Sequence, residues 1–184
     1  MAAAHSSPPI LAISGSLRRD SINTAALRAA AAAAARDGLV IRIDDSPRAL
    51  PQFDPDLEPF PPESVLRFRQ ACAEASGVLL AVPEYTFGIP GAFKNALDWT
   101  VGSGSLYRKP VALLHVAPPG RGAQVREALA HVLRAHNAEV AHQPVPIMPR
   151  DRDANGEISN PRIVQQLRTV VAELAHRASA SRVA

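Results

Sequence analysis

The chain has 184 residues, a formal net charge of +3 and a hydrophobic content of 47%. This length suits one domain, so we expect a single domain over residues 1–184, with frayed tails at 1–8 and 178–184. No apolar stretch approaches the roughly 20 residues that span a bilayer, and the first residues lack the pattern of an export signal. The composition therefore predicts a cytoplasmic protein that has no membrane segment.

Charge distribution and cysteine content exclude two further kinds of site. The arginines are scattered along the chain and aromatic residues make up 4% of it, so a nucleic-acid-binding surface with stacking platforms is not predicted. The single cysteine, Cys72, rules out an intrachain disulfide and a cysteine-rich metal site. We expect no nucleic-acid partner, no bound metal and a buried, unreactive Cys72.

Apolar runs alternate with segments of helical periodicity along the chain. The runs PILAIS, LVIRID, GVLLAVP, PVALLHVA and EVAHQPVPIM predict five strands, the last of them broken. Apolar residues at helical spacing predict helices over about 22–36, 63–76, 93–101, 125–133 and 163–174. The stretch DDSPRALPQFDPDLEPFPP predicts a long surface loop, because proline fixes φ and removes a backbone donor.

The alternation of strands and helices predicts how the sheet is built. Continuously apolar strands are covered on both faces, and intervening helices imply right-handed crossovers between parallel strands. Five such units predict a doubly wound, three-layer α/β sandwich. Ligands of such sheets bind at the carboxyl ends of the strands, so the candidate site lies in the loops after strands one, three and four.

The loop after the first strand, GSLRRDSIN, carries groups that suit a phosphate. It supplies a glycine for a sharp turn, two hydroxyl donors, a guanidinium and an amide in the first helical turn: Gly15, Ser16, Ser21, Arg18 and Asn23. The amino terminus of a helix already presents free N–H groups and partial positive charge. The sequence therefore predicts a phosphate site; the alternative is that Ser21 only caps the helix while Arg18 and Arg19 are solvated.

The loop after the third strand, PEYTFGIPGAFKNALDW, places Tyr85 and Phe87 at the same edge of the sheet. Flat rings beside rigid backbone amides suit an aromatic ligand with polar edges. The alternative is an ordinary hydrophobic turn, with Trp99 in the core or at an interface and Lys94 paired with Asp98 at the surface.

Together, these two fragments resemble the paired motifs of the NADPH-dependent FMN reductase family, which includes quinone, azo-dye and chromate reductases. The resemblance extends from about Ile10 to Leu174. It implies a flavodoxin-like fold with strand order 2-1-3-4-5, FMN as cofactor and NADPH or NADH as co-substrate. It places Ser16, Arg18, Ser21 and Asn23 around the phosphate, and Pro83, Glu84, Tyr85, Thr86 and Phe87 along the isoalloxazine ring. Gly15 and Ile22 are also expected to bind the cofactor.

The resemblance also implies a mechanism. Hydride passes from the nicotinamide to flavin N5, and electrons then pass to a quinone, azo compound, chromate or similar small acceptor by ping-pong turnover. This chemistry needs no acid or base from the protein, so no catalytic side chain is expected. Glu84 is expected to orient its loop, and His115, at the end of strand four, to be structural.

Two departures from the family pattern bear on the flavin's surroundings. Proteins like this usually have asparagine and serine where this chain has Thr86 and Gly88, close to the reactive edge of the flavin. The loop after strand four, HVAPPGRGAQ, lacks the paired glycine common before its helix, which affects contacts to the pyrimidine edge. We expect redox potential or substrate preference to respond to these changes.

Family members are commonly dimers, so the resemblance implies a homodimer or a dimer of dimers with the helix Gly91–Trp99 at the interface. Two other functions stay open: a flavodoxin-type electron carrier with a protein redox partner, and a non-enzymatic domain that has lost the flavin. The basic charge balance argues against the carrier, because such carriers resemble acidic proteins that dock on basic partners.

Overall fold

Five parallel strands form one sheet in the order β2-β1-β3-β4-β5 in the computed structural model, which describes residues 8–181. The strands are β1 (Ile10–Ser14), β2 (Ile41–Asp44), β3 (Val78–Ala81), β4 (Pro110–His115) and β5 (Glu139–Pro144). All four pairings are parallel. The predicted flavodoxin-like order is therefore confirmed.

Helices cover both faces of the sheet and complete the three layers. They are α1 (Ile22–Ala35), α2 (Glu63–Glu74), α3 (Gly91–Val101), α4 (Ala123–Ala135) and α5 (Pro161–Ala180). One core lies between the sheet and α1 and α5, and the other lies between the sheet and α2, α3 and α4. Each predicted helix is present, in the predicted order.

Burial differs between the middle and the edges of the sheet. Side chains of β1 and β3 are buried on both faces because alternate residues enter opposite cores, as Leu11 and Ala12 do. The edge strands β2 and β5 keep most of their side chains at least partly exposed. Two-sided coverage therefore holds for the central strands and not for the two at the edges.

The proline-rich loop between β2 and α2 is held against α3 by buried polar side chains. Asn95 Nδ2 and Trp99 Nε1 each donate to the carbonyl of Pro51 at 2.9 Å, and the Phe53 amide donates to Asn95 Oδ1 at 2.7 Å. Trp99 is fully buried within the chain. Of the two alternatives for Trp99, the core is correct, and an aromatic interface residue at this position is wrong. The ion pair of Lys94 and Asp98 that the hydrophobic-turn alternative contains is present, at 2.6 Å.

Two further details differ from the sequence-based expectations. Two short 3-10 turns, Ser46–Arg48 and Pro55–Leu57, interrupt the predicted loop. Val101 is exposed because it lies at the carboxyl end of α3, past the face that meets the sheet.

The predicted frayed tail from residue 178 is wrong for 178–180, which belong to α5, because Ala178 is buried there. Residues 1–7 and 182–184 of the predicted tails lie outside the described residues. Among residues 8–181, no helix combines the length and apolar character needed to cross a membrane.

Candidate functional site

The loops after β1 and β3 leave the sheet in direct contact. The Gly15 amide donates to the carbonyl of Ala81 at 2.9 Å. A Cβ built on Gly15 would lie 2.7 Å from Val82 Cγ1 and 3.1 Å from Val82 Cα. Glycine is required here because any side chain would collide with the neighbouring strand, and this close approach brings the two predicted loops together.

Hydroxyl groups fix the path of the loop after β1. The Ser16 amide donates to Ser14 Oγ at 3.2 Å, and the Arg18 amide donates to Ser16 Oγ at 3.3 Å. Thr24 Oγ1 donates to Ser14 Oγ at 3.0 Å, which ties the loop to the first turn of α1. Ser21 is the N-cap of α1 and accepts from the Thr24 amide at 3.5 Å. The Arg18 side chain is exposed at the end of this loop.

A cleft of about 300 Å³ opens between these loops and the segment that follows β5. Its lining residues are Ser16, Arg18, Asp20, Ser21, Ile22, Asn23, Pro83, Tyr85, Pro149 and Arg152. Seven of the residues predicted to contact FMN are therefore brought together. The other four, Gly15, Glu84, Thr86 and Phe87, do not line this cleft.

The predicted ring-binding segment contains a strained two-residue turn. Tyr85 and Gly88 exchange backbone hydrogen bonds, from the Tyr85 amide at 3.1 Å and from the Gly88 amide at 2.9 Å. Between them Thr86 and Phe87 have φ values of 49° and 59°, in the left-handed region. This turn favours glycine or asparagine, and a β-branched residue there costs on the order of 1–3 kcal/mol. The turn leaves the Phe87 side chain 74% exposed.

Tyr85 connects this turn to the loop after β1. Its phenol oxygen lies 3.3 Å from Ser16 Oγ, while half of its side chain stays exposed. The aromatic ring therefore stands at the cleft wall with its polar end held by the predicted phosphate loop.

Glu84 caps a helix. Its Oε2 accepts from the Val125 amide at 3.1 Å, in the first turn of α4. The N-cap of α4 is Gly122, which has no side chain to satisfy that amide. The contact between Glu84 and α4 thus fixes the orientation of the loop after β3, as expected from the sequence.

His115 packs against the same helix terminus. A Cβ built on Gly122, whose φ is 78°, would lie 2.3 Å from His115 Nε2. This Nε2 is buried without a hydrogen-bond partner. Burial, reinforced by the Arg126 charge, lowers the pKa of His115 below its usual range, so the ring is neutral at pH 7. Its close packing agrees with the structural role expected for it.

Sequence reasoning missed Pro149 and Arg152, which complete the cleft wall, and Asp20, which lies inside the GSLRRDSIN loop. After β5 the chain crosses the face covered by α1, burying Val145 and Ile147, and so reaches the loop after β1. Arg152 forms an ion pair with Asp20 there. The only sequence signal for Pro149 and Arg152 was the charged turn segment PRDRDANG, which no motif connects to a ligand.

The polar groups of the cleft fit FMN. Arg18 and the serine hydroxyls can donate to a phosphate beside the amino terminus of α1. Asn23 is almost fully buried in the cleft wall, and its Oδ1 has no hydrogen-bond partner. A ribityl hydroxyl is a donor of the type that this oxygen lacks. The cleft wall therefore carries phosphate donors, a free acceptor and an aromatic ring, which are the groups that the parts of FMN require.

Other candidate chemistry is limited in the described part of the chain. No group of three or more His, Cys, Asp or Glu side chains among residues 8–181 could hold a metal ion. Cys72 is buried, and burial raises the pKa of its thiol to about 12. The thiol is therefore protonated at neutral pH and is a poor nucleophile.

Comparison with known proteins places the chain in a family. Residues 8–153 match the family model of NADPH-dependent FMN reductases. A probable NADPH:quinone oxidoreductase 2 of Oryza sativa subsp. japonica is 34% identical over 182 residues, covering 90% of this chain and 86% of that protein. A 2-hydroxy-1,4-benzoquinone reductase of Burkholderia sp. is 33% identical over 156 residues, covering 81% and 84%.

A solved structure shows the same architecture along nearly the whole chain. FerB, a flavoenzyme NAD(P)H:(acceptor) oxidoreductase from Paracoccus denitrificans, superimposes with a TM-score of 0.80 at 26% identity, over 94% of this chain and 98% of that one. The chain belongs to the NADPH-dependent FMN reductase family and is a flavin-dependent oxidoreductase with FMN as its cofactor.

Proposed function

We propose that this protein oxidises NADPH or NADH and reduces quinones or similar small acceptors, and that its FMN lies in the cleft between the loops after β1 and β3. The observation that carries this proposal is the continuity of that cleft from Arg18 to Tyr85. The quinone reductases among its relatives support the acceptor class.

The phosphate end of the cofactor is assigned to the loop after β1. Arg18 supplies a guanidinium, Ser16 and Ser21 supply hydroxyls, and the free N–H groups of α1 point to the same region. Gly15 acts indirectly, because its lack of a side chain lets this loop lie against Val82. The phosphate thus meets fixed donors at a helix terminus.

The remaining contacts are assigned to the ribityl chain and the ring. Asn23 Oδ1 accepts from a ribityl hydroxyl, and Ile22 and Pro83 form apolar wall beside it. Tyr85 and the turn through Thr86 and Phe87 support the ring end. When bound, FMN supplies the two-electron chemistry that links NAD(P)H to the acceptor.

The protein side chains bind and orient FMN, and they do not transfer protons. Glu84 is engaged with the Val125 amide, and the neutral His115 ring packs on Gly122. We therefore assign no catalytic acid or base. NAD(P)H and the acceptor would use the same open face beside Tyr85 and Phe87 in turn, which gives ping-pong kinetics.

The assembly and location are proposals of the same kind. We infer a single domain, supported by the one sheet that all five helices of residues 8–181 flank. We infer a homodimer or a dimer of dimers from the resemblance to the family; Phe60, which is 87% exposed, and the exposed Val101 at the end of α3 are apolar side chains that a partner could cover. A cytoplasmic location suits an enzyme that draws on NAD(P)H. Sedimentation at micromolar concentration tests the assembly, and a single monomer species would contradict it.

Initial velocities with NADPH and 1,4-benzoquinone test the function. We expect parallel double-reciprocal lines, and turnover that is lost when FMN is stripped from the protein with a chaotropic salt. The Arg18→Ala variant should bind FMN at least about tenfold more weakly, because it loses a charge-assisted contact. Arg36→Ala, at the far end of α1, is the matched control. Slow reaction with NADPH combined with rapid exchange with a redox protein would favour the electron carrier instead.

A further inference from the structure

Arg152 lies at the phosphate end of the cleft, although it follows β5 and is distant in sequence from the loop after β1. It lines the cleft together with Arg18, Ser16 and Ser21. Its side chain is only 17% exposed. A mostly buried guanidinium in the wall of a cleft needs an anionic partner.

The surrounding backbone holds this guanidinium in place. Arg152 Nε donates to the Gly156 carbonyl at 2.6 Å. Gly156 has a φ of 80°, and a Cβ there would lie 2.4 Å from an Arg152 terminal nitrogen and 2.9 Å from Asp20 Oδ1. Only glycine leaves room for the arginine and its partner at this point.

The segment that carries Arg152 is itself anchored. Asp153 Oδ1 accepts from the amides of Asn155 and Glu157 at 2.8 and 3.0 Å, which fixes the turn. Glu157 then pairs with Arg28 of α1 at 2.7 Å. The segment is therefore tied to the helix whose amino terminus forms the phosphate site.

The present partner of Arg152 is Asp20, whose side chain is 63% exposed. The two members of this ion pair differ in freedom, because Arg152 is fixed and Asp20 stands largely in solvent. An incoming anion can take the place of the carboxylate without moving the arginine. Asp20 can then turn to water at little cost, as expected for an exposed carboxylate.

We propose that Arg152 is a second cation that binds the phosphate of the flavin. In the absence of flavin, Asp20 pairs with Arg152, and the phosphate displaces Asp20 when it binds. This inference rests on the proposed FMN site. The dianionic phosphate would receive one guanidinium from Arg18 and one from Arg152, and charge-assisted contacts of this kind are the strong ones. Because Asp20 pairs with Arg152, it determines how much of the Arg152 charge is available to the phosphate.

Riboflavin, which lacks the phosphate, gives a direct test. Flavin is stripped from the chain with a chaotropic salt, and the flavin-free chain is titrated with FMN and with riboflavin, following flavin fluorescence. The measured quantity is the preference for FMN, the ratio of the riboflavin Kd to the FMN Kd. Arg152→Gln should lower this preference about tenfold, and Asp20→Asn should raise it about threefold.

Matched controls come from a second ion pair, one member of which follows the carboxyl end of α1. Arg168 and Asp37 pair outside the cleft, so Arg168→Gln and Asp37→Asn should leave the preference unchanged. Circular dichroism verifies folding of each variant. Asp20→Asn leaves Arg152 intact, so it gives a result even where Arg152→Gln unfolds.

The outcomes separate this inference from the proposed function. If Arg18→Ala lowers the preference while Arg152→Gln and Asp20→Asn do not change it, the FMN site stands and the role of Arg152 is overturned. If Arg152→Gln weakens the binding of riboflavin and of FMN equally, the role of Arg152 is structural and the inference also fails. If the unaltered chain shows no preference for FMN, the phosphate site itself is refuted.

Discussion

The phenol oxygen of Tyr85 lies 3.3 Å from the hydroxyl oxygen of Ser16, and this contact joins the loop after β3 to the loop after β1. The two loops hold opposite ends of the proposed cofactor. This hydrogen bond thus links the geometry at the flavin ring to that at its phosphate.

Removing the Tyr85 hydroxyl should loosen this link. We expect Tyr85→Phe to weaken FMN binding about threefold and to lower the free energy of unfolding by no more than about 1 kcal/mol, because the bond is partly exposed. Flavin fluorescence and urea unfolding measure the two effects. Tyr107→Phe changes an exposed tyrosine outside the cleft and should alter neither. Equal effects of both changes would contradict the link.

The contact of Gly15 with Val82 predicts a steric effect. Gly15→Ala should lower the free energy of unfolding by about 1–3 kcal/mol, because the new Cβ would lie 3.1 Å from the Cα of Val82, which directly follows the central strand β3. Gly91→Ala, at a position where a Cβ would meet no atom within 4 Å outside its own helical turn and chain neighbours, should be neutral or stabilising. Urea unfolding compares them. A tolerated Gly15→Ala would show that the loops are not held this closely.

The backbone strain at Thr86 predicts a stabilising substitution. Asparagine adopts the left-handed region more readily than a β-branched residue, so Thr86→Asn should raise the free energy of unfolding by up to about 1 kcal/mol. Thr169→Asn, on the exposed face of α5, controls for the change of residue type. A destabilised Thr86→Asn protein would mean that the threonine side chain makes a favourable contact that outweighs the strain.

His136 predicts a pH dependence of stability. It is buried at the end of α4 with neither ring nitrogen hydrogen-bonded, and burial lowers its pKa below the ordinary 6.5 despite the opposing charge of Asp98 on α3. Lys94, also on α3, lowers the pKa further. Between the folded and the ordinary pKa the unfolded chain binds more protons, so stability falls as the pH drops below about 6.5.

His136→Leu should reduce this slope and raise the free energy of unfolding by about 1 kcal/mol at pH 7, because it removes unsatisfied polar atoms. Urea unfolding at pH 5, 6 and 7 measures both effects. His131→Leu changes an exposed histidine on the same helix and should retain the slope. An unchanged slope in His136→Leu would show that other groups cause it.

The sheet order and most of the cleft were predictable because they depend on local patterns. Apolar runs such as GVLLAVP and the alternating helices specify a parallel sheet, and the carboxyl ends of β1 and β3 are then adjacent. The residues of GSLRRDSIN follow β1 directly, so their position at the cleft follows from the topology alone.

Arg152 and the burial of Trp99 depend on contacts between distant segments. Arg152 reaches the cleft because the chain after β5 packs on the α1 side of the sheet, a path that no periodic pattern encodes. Trp99 is covered by the proline-rich loop, whose Pro51 carbonyl accepts its indole N–H. No sequence pattern predicted the left-handed turn at Thr86, since threonine rarely adopts that conformation.

The visible spectrum of the FMN-loaded, dialysed protein, recorded without oxygen before and after addition of NADPH, distinguishes a flavin reductase from an electron carrier. We expect the yellow colour to survive dialysis and to bleach promptly with NADPH, and to return when 1,4-benzoquinone is added. Colour that persists in NADPH would contradict the reductase and favour an electron carrier. Loss of all colour on dialysis would contradict a tightly held cofactor in the cleft.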